Sequence, residues 1–485
     1  MITLRRNRFF SKSTVLWVTF FSFFAGMIFC SVPSGMAQVA KGLSMAPVNP
    51  AFEKYMADKK AGKLLPAITA EGHALGYIPP PIKLPAVSQP KPLAMASLPA
   101  KYDLRTKNKL SPIRDQGQCG SCWAFATFGS LESALLPAQK TDFSEQDLNK
   151  NHGFDLPECE GGQHWMSTAY LARWSGPLKE TDVPYPYAAA ASAQKHVQEV
   201  TFLMPRADAK DNAAIKAAVM GSGAVMVSYA MDEAFYNAAK FAYYCDQDVE
   251  IDHAVAVVGW DDSFKKNNFA PAIPPGDGAF IVRNSWGKSW GQAGYFYLSY
   301  YDKTFSQNAV FANAELPTNY STIYQYDPLG LVTMIGTGEP TLWGANIFKA
   351  TSAAKLKAVS FWTLSPNSSY EIYVYTNVTA GKPKSGKLAS TKKGKIATAG
   401  YHTIVLKDTA LTAGKSFSVV VKFTTPGWGY PLPIEGIMEG YSSAATAHPG
   451  ESFASMDGKT WFDLVTEPDF AAYQFNVCLK AFAKK

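Results

Sequence analysis

The sequence predicts an α+β part followed by an all-β antiparallel part. Three observations predict it. A Gly-rich turn at residues 116–120 opens a helical run that continues to about residue 136. From Ala224 onward short β-branched and aromatic runs replace helical patterns, at residues 225–229, 253–260, 278–283 and 294–299. Beyond about Leu316, alternating runs at 358–364, 370–376, 402–406, 417–423 and 474–481 are separated by Gly, Ser, Asn and Pro turns. That last pattern is an antiparallel β-sandwich.

The bulk numbers fit several domains. A chain of 485 residues is too long for one ordinary domain. Hydrophobic content of 47% and charged content of 18% are globular values. The net charge of +7 is modest and the Lys residues are scattered, which reads as a solvated surface and not as a nucleic-acid footprint. No P-loop, dinucleotide Gly fingerprint or EF-hand loop is present in the sequence.

The chain in order begins with Arg5, Arg6, Arg8 and Lys12 ahead of an apolar run at 14–29. Gly35-Met36-Ala37 follows as a small-residue cleavage site, so residues 1–37 read as a signal peptide cut after Ala37. The run is short for a membrane anchor, and the bulky Phe29 before Cys30 does not fit a lipoprotein signal. The expected location is secreted or periplasmic, with no membrane attachment after cleavage. Six Cys in an exported chain suggest disulfides plus one reactive thiol. Residues 38–98 hold a weak helical segment at 51–60 and then Gly76-Tyr77-Ile78-Pro79-Pro80-Pro81 and further prolines. Such a segment cannot build a core alone and is extended where Pro-rich.

The chemistry concentrates at the loop-to-helix junction. Cys122 stands near the positive end of a helix dipole, which favours the nucleophilic thiolate. Gly117 and Gly120 allow a tight turn close to a ligand. Gln116 offers an amide donor for a developing oxyanion. Cys119-Gly120-Ser121-Cys122-Trp123 resembles the nucleophile signature of the papain/cathepsin cysteine peptidases. Asp252-His253-Ala254-Val255, running into Val258-Gly259-Trp260, resembles that family's His block, and Asn284-Ser285-Trp286-Gly287-Lys288-Ser289-Trp290-Gly291 its Asn block. His253 follows Cys122 by 131 positions, within the family spacing of about 130–150. Asn284 follows by 162, and the polar, Pro-ended insertion 261–277, expected as a surface hairpin, accounts for the excess.

The resemblance implies a papain-like two-lobed catalytic domain over 99–316 and a secreted thiol endopeptidase. It implies a Cys122 thiolate beside a His253 imidazolium, Asn284 orienting that ring, and Gln116 with the Cys122 N–H as the oxyanion hole. Trp286 and Trp290 would shield the His–Asn pair. It implies a propeptide over 38–98 crossing the cleft in a non-productive direction. Cys159-Glu160-Gly161-Gly162 resembles the family's Cys-x-Gly-Gly, implying a Cys119–Cys159 disulfide and a substrate wall at Gly161 and Gly162. Trp165, Ser228, Ile251 and Ala254 would line an apolar pocket for the substrate residue N-terminal to the scissile one (P2), although Gln163 and His164 replace an aromatic and a proline common in relatives. Phe143-Ser144-Glu145-Gln146-Asp147-Leu148 resembles another family block and reads as a helix-opening capping box. A second family disulfide is expected to be missing near Asn151, and Cys245 and Cys478 are expected as free thiols. No metal or cofactor is expected.

Residues 317–485 are similar to lectin-like sandwiches that follow some bacterial papain-like peptidases. That part is expected to fold on its own core and pack on the catalytic part. Trp428 and Trp461 would cover its core or dock on the protease; stacking on cell-surface glycans is the alternative. Protein or peptide substrates are the expected partners, with no nucleic acid. Two other functions use the same residues: an acyltransferase that keeps water from the acyl-enzyme, and a carbohydrate- or surface-binding protein with a vestigial peptidase part.

Overall fold

The apolar run after the Gly-rich turn forms the helix Cys122–Leu135, buried on nearly every side. A helix apolar all round must be covered all round. The strands Val225–Tyr229, His253–Asp261 and Ser306–Glu315 pack on it, as do the helices Glu145–Asn151 and His164–Ala172. This is the coordinate picture of a computed structural model, which describes residues 42–63, 68–87, 98–187 and 190–485. The proposed signal peptide lies outside the described residues. The described residues fall in one compact unit.

Local chemistry sets the ends of these helices. Ser144 accepts a hydrogen bond from the Asp147 N–H at 3.1 Å, the N-cap half of the expected capping box. Gln163 caps His164–Ala172 through the Trp165 N–H at 2.5 Å. Asn49 caps the helix Pro50–Lys60 through the Ala51 N–H, with Pro in the first turn where its missing donor costs nothing.

Strand pairing carries the fold across its two parts. Val225–Tyr229, His253–Asp261, Ala279–Arg283 and Tyr295–Ser299 form consecutive antiparallel pairs. Ser306–Glu315 joins their edge and pairs in turn with His196–Leu203. His196–Leu203 then pairs with Ala399–Leu411, from Ala399 opposite Phe202 to His402 opposite Glu199. One sheet therefore runs from the catalytic half into the C-terminal half, ending on Ala354–Thr363, Leu479–Lys484 and Thr322–Tyr324. A second sheet, built around Ser368–Thr376, Ser416–Thr424 and Thr341–Lys349, faces it. Val419 and Val421 point into the core between the sheets while Val420 faces the outside cluster, the period-2 alternation of a sandwich.

The C-terminal half has the expected core and packs on the catalytic half as expected, Trp362 and Tyr401 clustering with Phe202 and Trp165. What the sequence does not announce is that one sheet is continuous through both halves. The insertion 261–277 has no strands of its own. It is the long connection between the paired strands His253–Asp261 and Ala279–Arg283, with a 3-10 turn at Lys266–Asn268 and a Lys265–Asp277 ion pair of 2.8 Å.

Residues 42–87 are seated on both halves. Ser44–Met45 adds an antiparallel strand beside Thr333–Gly336, and Leu43 enters the sandwich core. Phe52 is 1% exposed and meets Tyr441 edge-on at 5.0 Å.

Candidate active site

Cys122 is the first residue of its helix. Ser121 before it makes no side-chain cap, so N–H groups of the first turn stay available to a ligand. The Ala254 N–H donates to Cys122 Sγ at 3.4 Å, which fixes the sulfur against the start of the facing strand. His253 precedes Ala254 and is fully buried. Its Nε2 lies 2.9 Å from Asn284 Oδ1, and its Nδ1 completes no hydrogen bond among the described residues. Trp286 stacks on the His253 ring at 4.7 Å, and Trp290 meets Trp286 edge-on at 5.0 Å. Cys119 and Cys159 form a disulfide that ties the Gly-rich turn to the Gly161–Gly162 wall. Cys245 and Cys478 are free and buried.

Gln116 is held from three directions. Ser285 Oγ donates to its Oε1 at 2.6 Å, leaving Nε2 as the outward donor. That Nε2 donates to the Cys119 carbonyl and to the Ala74 carbonyl, both at 2.8 Å. Ser285 also donates its N–H to Asn284 Oδ1 at 2.8 Å, so one residue braces both Gln116 and Asn284. Sequence reading placed Ser285 inside a motif without giving it a task; its signal was adjacency to Asn284.

A segment of the chain fills the cleft. Gly162 N–H donates to the Gly76 carbonyl at 2.9 Å, and Ile78 N–H to the Gly162 carbonyl at 3.1 Å, a parallel bridge between Tyr77 and Gly162. Tyr77 N–H donates to the Asp252 carbonyl at 2.8 Å. Before the crossing, His73 stacks on Trp286 at 4.5 Å. A Cβ on Gly76 would stand 2.0 Å from the Gly120 carbonyl oxygen, so only glycine passes there. Tyr77 is buried, with its hydroxyl near Ser228 and without a completed hydrogen bond.

The other expected pocket residues lie around or behind Tyr77. Ala254 and Ile251 pack in the cluster that holds Tyr77. Ser228 is buried and donates to the Ser306 carbonyl at 3.1 Å. Trp165 is packed in the core, stacked on Phe202 at 6.2 Å. Gly161 has φ of +103° and touches Ile78, a position suited to glycine.

Burial sets the protonation of the pair. Desolvation pushes the Cys122 thiol up to about 12, against a smaller opposing effect of the Ala254 and Gly76 N–H groups. Desolvation likewise brings His253 down to about 4, against the Asn284 hydrogen bond. With the segment in place burial therefore disfavours the charged form of both groups, against the imidazolium–thiolate pair that the resemblance implies, and the segment reaches the site itself through the Gly76 N–H at Cys122. Among the described residues no group of His, Cys, Asp and Glu could hold a metal ion.

Comparison with known proteins follows this geometry. Residues 98–313 match the family model described as papain family cysteine protease, and residues 323–483 the one described as lectin like domain. Cysteine proteinase 15A of Pisum sativum is 32% identical over 229 residues, 44% of this chain and 62% of the relative. The probable cysteine protease RD19B of Arabidopsis thaliana is 29% identical over 229 residues, with the same coverage. The chain thus spans about three fifths of the length of these curated relatives. The crystal structure of the cysteine protease and lectin-like domains of Cwp84, a surface layer associated protein of Clostridium difficile, superposes with a TM-score of 0.77 at 25% identity, covering 93% of this chain and 99% of that one. Clostridial Cwp84 after propeptide cleavage superposes with a TM-score of 0.70 at 27% identity, over 79% and 99%.

Proposed function

We propose that this chain, which joins a papain-family cysteine protease segment to a lectin-like segment, is an exported thiol endopeptidase held latent by its own residues 38–98. The observation that carries the reading is the crossing of residues 74–78 over Cys122, with Gln116 donating to a backbone carbonyl of that segment. The cleft already binds an extended peptide through its backbone, at the donor proposed for the oxyanion.

The crossing runs backwards for catalysis. From N to C it passes Trp286 at His73, Gln116 at Ala74 and the Gly162 wall at Tyr77. A productive peptide would lie antiparallel to that wall, with its N-terminal flank at Gly162 and its leaving-group side at Trp286. The parallel bridge at Tyr77 supports a non-productive segment.

Once the cleft is open, desolvation no longer holds the thiol protonated and the imidazole neutral. Cys122 passes its proton to His253, and the thiolate attacks the scissile carbonyl. The oxyanion forms within reach of Gln116 Nε2 and the Cys122 N–H, donors worth about 10²–10³ in turnover each. His253 gives the proton to the leaving amine, and water then hydrolyses the thioester with His253 as base. Asn284 holds the ring through Nε2 throughout, the orienting role of a triad.

The test is Cys122→Ala. The variant should lack hydrolysis of peptide substrates and remain full length, and a thiol-directed epoxide should label the processed wild type at Cys122. Full hydrolysis by Cys122→Ala would end this reading. Residues 1–37 as signal peptide and export to the cell exterior rest on the sequence, and N-terminal sequencing of exported material tests them.

A further inference from the structure

We propose that the substrate cleft continues past Gly162 onto the lectin-like segment, where Trp428, Tyr430 and Tyr441 bind an extended, apolar, Pro-rich stretch on the N-terminal side of the scissile bond. The proposal rests on the thiol endopeptidase reading and adds a substrate class to it.

The track already holds a polypeptide of that chemistry. After Tyr77 the segment reads Ile78-Pro79-Pro80-Pro81-Ile82-Lys83-Leu84-Pro85-Ala86-Val87. Ile78 touches Gly161 and Ile82 is buried. Leu84 and Val87 lie against the same core cluster as Trp428, Tyr430, Ile437 and Met438 of the lectin-like segment. Val87 Cγ1 lies so near Gly427 that a Cβ there would stand 2.5 Å away. The wall is bonded to the cleft independently of the segment that covers it. Gln163, at the cap of the helix after Gly162, donates to Tyr441 Oη at 2.8 Å. Asp155 N–H donates to the Tyr441 carbonyl at 2.9 Å, and Ser443 N–H to the Asp155 carboxylate at 2.9 Å. Removal of residues 38–98 leaves these bonds in place and takes Phe52 from Tyr441 and Val87 from Gly427, the neighbour of Trp428, so apolar surface is exposed at both places and calls for a partner.

A second observation points to a peptide. Trp428 Nε1 is buried and completes no hydrogen bond among the described residues. Tyr430 stands edge-on to Trp428 at 5.4 Å. Two aromatics with a free indole donor are the elements of polyproline recognition, in which rings pack on prolines and the donor meets a backbone carbonyl. A polyproline helix has no internal hydrogen bonds and repeats every three residues, so its ridges present similar shapes in either chain direction. A substrate can therefore follow a track that the latent segment follows in reverse.

The experiment compares two substrates on the processed enzyme. One is a dipeptidyl fluorogenic amide with an apolar P2 residue; the other carries the same residues behind an Ile-Pro-Pro-Pro-Ile-type extension. The extension should raise kcat/KM about tenfold, equivalent to about 1.4 kcal/mol. Trp428→Ala should remove that gain, and Trp428→Phe should restore part of it, because the ring returns without the donor. Inhibition of the processed enzyme and its Trp428 variants by the synthetic peptide 76–87 should weaken in the same order. An extension without gain, or a gain that survives Trp428→Ala, overturns the proposal. Failure of the wild type on the dipeptidyl amide would instead overturn the endopeptidase reading.

Discussion

Residues 74–78 and residues 43–60 hold the same segment by opposite means. In the cleft the bonds are made by backbone atoms: Gly162 with Gly76 and Ile78, Asp252 with Tyr77, and Gln116 with Ala74. Any extended chain offers those groups, and the one residue constraint is the absence of a side chain at Gly76. On the lectin-like segment a short strand pairing at Ser44–Met45 is joined by buried side chains: Leu43 in the sandwich core, and Phe52 against Tyr441 with Tyr55 and Met56 beside it. The cleft half thus depends on the path of the chain, and the anchor half on apolar area. A protease must bind many sequences across its cleft, so specificity for its own segment has to come from elsewhere.

Substituting Gly76 by Val should break the cleft half with the largest effect. The new Cβ would meet the Gly120 oxygen at 2.0 Å and its Cα at 2.6 Å, backbone atoms that no rotamer change moves. Overpacking of this kind costs about 3 kcal/mol, on the order of a hundredfold in a rate. Epoxide labelling of Cys122 in the unprocessed chain should accelerate by about that factor. Unchanged labelling would mean that the crossing is not the barrier.

Phe52→Ala tests the other half and should do less to the cleft. Losing a buried Phe costs about 3–5 kcal/mol locally, so residues 50–60 should become sensitive to trypsin at Lys54, Lys59 and Lys60. Labelling of Cys122 should rise much less than with Gly76→Val, because the backbone bonds of the crossing remain. Equal acceleration by both variants would make the two halves one cooperative element and end the distinction drawn above.

The residues whose chemistry fixes their neighbours were legible in the sequence. Cys122, His253 and Asn284 stand on a helix start, a strand start and a loop, as their motifs predict. The Cys119–Cys159 bond follows the same motifs. What was not legible depends on contacts between distant segments. His196–Leu203 carries ordinary strand residues, and nothing in it announces that it will pair with Ala399–Leu411 and merge the two parts. Gly76 stood out only as the start of a Pro-rich stretch; its need for an absent Cβ arises from Gly120, 44 positions on. The burial that disfavours charge on Cys122 and His253 could not be read from their motifs either.

The smallest expected effect is on pH, and it sharpens the same comparison. Asp252 borders the crossing, its carbonyl accepting from Tyr77, and burial pushes its carboxyl up to about 7. In the anchor half Lys54 pairs with Asp58 and Glu250 at the surface, where salt and water screen the charges. An open cleft would return Asp252 toward an ordinary carboxyl near 4. Between those values the covered state carries a proton that the open state lacks, so covering is favoured at the acid end and loses that support as pH rises through about 7. His253, held near 4 when covered, acts in the opposite sense. In the open pair, however, its proton comes from Cys122, and covering returns it to sulfur without net exchange. The dependence on Asp252 therefore remains. Inhibition of the processed enzyme by the synthetic peptide 42–87 should weaken about tenfold from pH 5 to pH 8, a fraction of the full linkage because the carboxyl stays partly buried without the peptide. Asp252→Asn keeps an oxygen to accept the Met231 N–H, now made at 2.9 Å, and should flatten the profile. Equal slopes in the two proteins would place the pH dependence outside the crossing.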